Sequence, residues 1–243
     1  MTKEGIEYEA DQRHAELIIR EMGLKEDSNS VNSPGAPDSK EMKEQDWEEE
    51  ADGDNKLYRA IATWAIYLGQ DRMDIQFAAK AISRFTRAPE KVDWARAKRL
   101  ARYLVRQKRL ITDYKFQKMP TEVVIWSDSD HAGCWRTRKS TSGGVMFGGH
   151  CVKSYSSTQP VIALSPGEAE YYVIVKAGTM GIGVWSLFAD LGIKVTIRIN
   201  TDSDTAKSIA SRRGAGKVRH IETQEMWVQE KVAKKDTLLK KIW

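Results

Sequence analysis

The chain has 243 residues, 41% of them hydrophobic and 30% charged, with eight Trp and a formal net charge of +5. That is enough apolar material for a sizeable core and too much for global disorder, and with no apolar stretch near 18 residues the composition predicts no membrane span. Charge is uneven: residues 1–55 hold 17 Asp and Glu against 6 Lys and Arg, which puts that part at −11 and the rest at +16. So basic a remainder points to a polyanion, nucleic acid first, with a merely solvated lysine surface as the alternative. The N-terminus carries no apolar core of signal length. Cys134 and Cys151, without CxxC spacing, fit neither a disulfide framework nor a zinc site, which predicts an intracellular protein.

In chain order, Leu17, Ile18 and Met22 at helical spacing before Gly23 predict a short helix over 10–22, within a helical segment spanning 1–24. Residues 25–56 are rich in Ser, Pro, Gly and acid with little to bury, the composition of a disordered acidic linker. Helices are expected over 57–69, 74–87 and 92–109, broken at "GQDR" and at Pro89, and together they make a small helical unit over 57–118. On the third, Trp94, Ala97, Ala101, Leu104 and Val105 form an apolar stripe. Arg96, Arg99, Arg102 and Arg106 stand off that stripe, either as a surface for a phosphate backbone or as a solvated face. After Pro120 come a strand over 122–128, hairpin strands around "GGVMFGG" and "VKSYSS", and a long helix over 166–191. The strand "KVTIRIN", a short helix from Thr205, a helix over 221–234 and the strand "TLLKKIW" follow. Three strands, a helix, a strand, more helices and a last strand predict an α/β domain over 119–243, a mixed sheet with flanking helices.

Acid stands where that sheet should end. In "VVIWSDSD" the period of two puts Asp128 and Asp130 on one side of the strand, where a carboxylate needs a cation, a Lys or Arg, or solvent in a following loop. The long helix opens with "SPGEAEYY": Ser165 is the expected N-cap, Pro166 the first helical residue and Glu168 the third, a capping box reaching back to the Ser165 amide. Glu170, about 200° further round the helix, has no such task and is either an exposed helix glutamate or a residue near the sheet. Asp202 closes the strand "TIRINTD" before a helix that Ser203 or Asp204 can cap. Strand ends and helix starts in α/β sheets lie together, so Asp128, Glu170 and Asp202 can converge. Three carboxylates without basic partners repel unless cations join them, and oxygen-only ligation favours Mg2+ or Mn2+.

The stretches "SDSDHAGCWRTRKSTSGG", "SSTQPVIALSPGEAEYY", "NTDSDTAKSIASRRGAGKVRHIET" and "LYRAIATWAIYLGQDRMDIQFAAKAISRF", in this order, closely resemble the end of the pol polyprotein of copia-type retrotransposons. The resemblance implies the C-terminal part of a reverse transcriptase, thumb- or connection-like over 57–118, followed by a ribonuclease H-like domain. Its metal-binding carboxylates fall on Asp128, Glu170 and Asp202. It further implies two Mg2+ ions about 4 Å apart, hydrolysis of RNA in an RNA–DNA hybrid to leave 5′ phosphates, and the remainder of the polyprotein as partner. Asp130 matches the family's pattern and is expected beside the site, while the tryptophan usual after it is His131 here. His220 is expected to orient substrate or brace the helix. Arg136, Arg138 and Lys139 are candidates for the hybrid's phosphates, with Arg96, Arg99 and Arg106 on the upstream helix. The family's polymerase aspartates lie upstream of the matched region, and its fourth carboxylate lies on a helix after the last strand, a position that Glu222 does not fill. The rival expectation is a non-cutting, nucleic-acid-binding remnant.

Overall fold

The computed structural model describes residues 2–35, 54–216, 218 and 220–242. Of the linker expected over 25–56, residues 36–53 lie outside the described residues. The chain divides into two compact units, Met1–Phe116 and Gln117–Trp243.

The first unit contains α1 (Arg13–Glu21), α2 (Asn55–Asp71), a 3-10 turn at Met73–Ile75, α3 (Gln76–Ser83) and α4 (Lys91–Arg106). Their apolar stripes close on one core that includes Ile18, Tyr58, Ile61, Ile82, Leu100 and Leu104. The Tyr58 hydroxyl, buried with its ring, donates to Ile82 O at 2.7 Å and ties α2 to α3. The break at "RAPEK" ends in a capping box, in which Asp93 accepts from the Glu90 amide at 3.0 Å and Glu90 from the third helical amide. The third helix was expected to reach residue 109 and stops at Arg106. Arg72, 1% exposed, donates to Gln107 O at 3.0 Å and Lys108 O at 3.2 Å while pairing with Asp74, so the carbonyls beyond the helix end find donors off the helix axis. The chain then forms β2 (Ile111–Lys115), antiparallel to β1 (Gly5–Glu9). Neither strand was expected. Each is five residues long, polar at alternate positions and paired to a partner about a hundred residues away, so nothing local announces it. Of the expected linker, residues 25–35 are described, and Arg102 donates to Asn29 O at 2.7 Å.

The second unit is the expected mixed sheet with flanking helices. Its strands are β3 (Glu122–Asp130), β4 (Thr141–Gly148), β5 (His150–Thr158), β6 (Thr196–Thr201) and β7 (Thr237–Lys241), in the order β5-β4-β3-β6-β7. β3 pairs antiparallel with β4 and parallel with β6, and β6 parallel with β7. β3 runs two residues past its expected end because Asp128, Ser129 and Asp130 pair with Gly143, Ser142 and Thr141. The helices are α5 (Pro166–Asp190), α6 (Asp204–Ser211) and α7 (Trp227–Ala233), the last preceded by a 3-10 turn at Thr223–Glu225.

α5 corrects one expectation: it is long and apolar enough to cross a membrane by length and composition. Its small residues let it lie close on the sheet. A Cβ at Gly181 would stand 2.8 Å from Ile125 Cδ1 and 3.1 Å from Ile197 Cγ2, on the two neighbouring parallel strands. Tyr171, Ile174 and Ala177 are buried in the core with those isoleucines, Met146 and Val228.

Candidate metal centre

β3 and β6 are parallel neighbours, so their carboxyl ends share one edge of the sheet, and Asp128 and Asp202 come to the same place. The first turns of α5 bring Glu170 there. One carboxylate oxygen from each of Asp128, Glu170 and Asp202 lies within 4.8 Å of the other two; both aspartates are exposed and the glutamate is buried. Glu170 Oε1 accepts from the Ser129 amide at 3.0 Å, whereas Oε2 is buried with no hydrogen-bond partner. Burial first and Asp128 second, with a further push from Asp202, raise the Glu170 carboxyl to about 7 against the opposing pull of the Ser129 amide. Among the described residues no Lys or Arg pairs with any of the three. A buried, partnerless oxygen facing two more carboxylates is a donor set suited to a hard cation, and the residues fit a metal ion.

Glu168, 5% exposed, has a separate task. Ser165 Oγ accepts from the Glu168 amide at 3.3 Å, as expected of the N-cap. The return contact falls one residue earlier than expected: Glu168 Oε2 accepts from the Leu164 amide at 2.9 Å, and His220 Nε2 lies 2.9 Å from the same oxygen. Ser165 itself is extended (φ −146°, ψ 159°), and the amide that faces the carboxylate is the one before it. His220 therefore stands against the start of α5 through Glu168. Asp130, on the same side of β3 as Asp128, is outside the carboxylate group and accepts from the Thr141 amide across the hairpin. His131 Nε2 lies 3.3 Å from Ala163 O. Ser203, not Asp204, caps α6, accepting from the Ala206 amide at 3.1 Å, while Asp204 pairs with Lys241.

The basic candidates are spread over both units. Arg138 is exposed, with φ 55°, in the loop after β3; Arg136 and Lys139 are half-buried there, Lys139 donating to Pro160 O at 2.6 Å. On α4, Arg106 is exposed and Arg99 half-buried, and Arg96 pairs with the fully buried Asp93 at 3.0 Å. Residues that sequence reading passed over are Ser129, whose amide holds Glu170, and Gln159, buried behind it. The quoted motif already contained Gln159, but no spacing rule marks a glutamine for a role.

No protein-family profile matches the chain. Among curated proteins, 166 residues (66% of this chain, 12% of the relative) are 28% identical to the retrovirus-related Pol polyprotein from transposon TNT 1-94 of Nicotiana tabacum. Another 140-residue match (57% of this chain, 10% of the relative) is 31% identical to that from transposon RE1 of Arabidopsis thaliana. The chain is similar to one part of the retrovirus-related Pol polyproteins of plant transposons. It spans about a tenth of the length of those Pol polyproteins. A 108-residue stretch (44% of this chain, 75% of the relative) is also 35% identical to a protein named Secreted RxLR effector protein 161 of Plasmopara viticola. Solved structures similar to this chain include LC11-RNase H1, isolated from compost by a metagenomic approach, at 15% identity and TM-score 0.34 over 50% of this chain and 84% of that one. The same enzyme in complex with an RNA/DNA hybrid gives 13% identity and TM-score 0.31 over 50% and 85%. Scores of that size carry no weight beside the sheet order and carboxylate geometry.

Proposed function

We propose that residues 119–243 are the ribonuclease H-type nuclease of a retrotransposon Pol polyprotein, hydrolysing the RNA of RNA–DNA hybrids during reverse transcription inside the cell. The observation that carries this reading is the convergence of Asp128, Glu170 and Asp202 within 4.8 Å around a buried oxygen that no protein donor meets. Similarity to retrovirus-related Pol polyproteins supplies the setting. Asp128, Glu170 and Asp202 would hold Mg2+ or Mn2+, and a bound pair of such ions supplies an activated water and charge stabilisation for the departing 3′ oxygen. Glu170, fixed at one oxygen by the Ser129 amide, offers the other to the cation. Asp128 and Asp202, both exposed, are open to solvent and substrate. Arg136, Arg138 and Lys139, in the loop after β3, would meet backbone phosphates, and within the first unit Arg106, on the thumb- or connection-like helices over 57–118, is a separate candidate for phosphate contact.

The test offers RNA/DNA hybrid, duplex RNA and duplex DNA with and without Mg2+. The expected result is Mg2+-dependent shortening of the hybrid's RNA strand, with 5′ phosphates on the products, lost in Asp128→Asn. The basic balance of the chain supports a second reading, a nucleic-acid-binding remnant that does not cut. Hybrid binding without cleavage in Mg2+ or Mn2+ selects that second reading, and absence of both binding and cleavage removes the two together.

A further inference from the structure

Glu170 can stay opposite Asp128 only if the end of β3 and the start of α5 keep their separation, and one side chain outside the carboxylate group spans both. Gln159, directly after β5, is 3% exposed. Its Nε2 lies 3.1 Å from Ser129 Oγ, 3.1 Å from Ser142 Oγ and 2.8 Å from Ala169 O, and its own amide donates to Ser140 O at 2.8 Å. Ser129 is the residue whose amide holds Glu170 Oε1, and Ala169 precedes Glu170 in the chain. A primary amide has two donor hydrogens, so three acceptors share them, while Gln159 Oε1 is buried without a partner. A side chain that only filled this space would be apolar, because an unmet buried carbonyl is unfavourable.

We infer that Gln159 is a positioning residue for the carboxylate site, clamping Ser129 to Ala169 and thereby setting Glu170 against Asp128. Its functional meaning rests on the metal reading above; the clamp itself is measurable without metal. Gln159→Met keeps the volume and removes the donors, with Gln159→Ala as a second variant. Val228→Ala, on α7 where Val228 packs beside Gly178, serves as a destabilised control away from the carboxylates. Two quantities are read on the full chain: amide hydrogen exchange at Ser129 without metal, and Mn2+ affinity by electron paramagnetic resonance. Expected in both Gln159 variants, and not in the control, are Ser129 exchange faster by about tenfold and Mn2+ affinity lower by about tenfold, the size typical of losing a residue that orients a ligand. Ser129 exchange no faster than in Val228→Ala overturns the inference. Faster exchange with unchanged Mn2+ affinity overturns it as well, because the clamp would then not reach the carboxylates. If the wild-type chain binds no Mn2+, the metal reading falls and Ser129 exchange alone decides the clamp.

Discussion

At Glu170 the carboxyl is pushed up to about 7 by burial and then by Asp128, against 4.5 for an ordinary glutamate, so the folded chain holds this proton more tightly than the unfolded chain. A raised folded value gives stability that is fully present below about 4.5 and lost as pH rises through about 7. Thermal melts without metal between pH 4 and pH 8 should therefore show a loss over that window in the wild type, and a smaller loss in Glu170→Gln. At pH 8, Asp128→Asn, Glu170→Gln and Asp202→Asn should each melt higher than wild type without Mg2+ and gain little when Mg2+ is added, since each relieves repulsion and removes a donor. An equal Mg2+ response in all four proteins would contradict the shared site. Glu168 behaves differently because its partners are the Leu164 amide and His220. Glu168→Ala should lose about 0.5–2 kcal/mol in urea unfolding, the range for a helix cap, and keep the Mg2+ response.

Elements in the helical unit end where side chains from elsewhere serve their free backbone groups. Arg72 is the clearest case, with its guanidinium shared among Asp74, Gln107 O and Lys108 O, and with Tyr103 donating to the same aspartate at 2.8 Å. Arg72→Ala leaves Asp74 with Tyr103 but no cation, and two carbonyls without their donor, and should cost about 3–5 kcal/mol, the scale for breaking a buried pair on one side. Amide exchange should rise around the end of α4 and in β2 while the mixed-sheet unit keeps its protection; an unchanged urea midpoint would show that water replaces the guanidinium. A helix-period reading of 92–109 carries no trace of this, because the residue that stops the helix lies in another turn of chain. By contrast, the starts of α4, α5 and α6 were readable or nearly so, since Glu90 with Asp93, Ser165 and Ser203 act within three residues of themselves.

Across the whole molecule, the +16 balance downstream of residue 55 should make hybrid affinity fall steeply between 50 and 200 mM salt, as counterions are released from phosphates. The structure separates the arginines that sequence spacing grouped. Arg106→Glu and Arg138→Glu, both at exposed positions, should weaken hybrid binding in fluorescence anisotropy and flatten its salt slope. Arg96→Glu should chiefly lower the urea midpoint, because it places a second carboxylate beside the buried Asp93. Salt-independent binding, or equal loss in all three variants, would remove this electrostatic account.

What could be determined from sequence was whatever repeats or caps locally: the helices, the apolar core strands of the mixed sheet, the N-cap at Ser165, and the convergence of Asp128, Glu170 and Asp202 from two strand ends and a helix start. Tertiary structure alone decided the β1–β2 pairing, the Arg72 anchor, the turn of Glu168 toward Leu164 and His220, and the place of Gln159 between Ser129 and Ala169. The physical reason is the range of the interaction. Periodicity and capping act over three or four residues, whereas a buried polar group takes its meaning from partners that only the folded chain brings within hydrogen-bond distance.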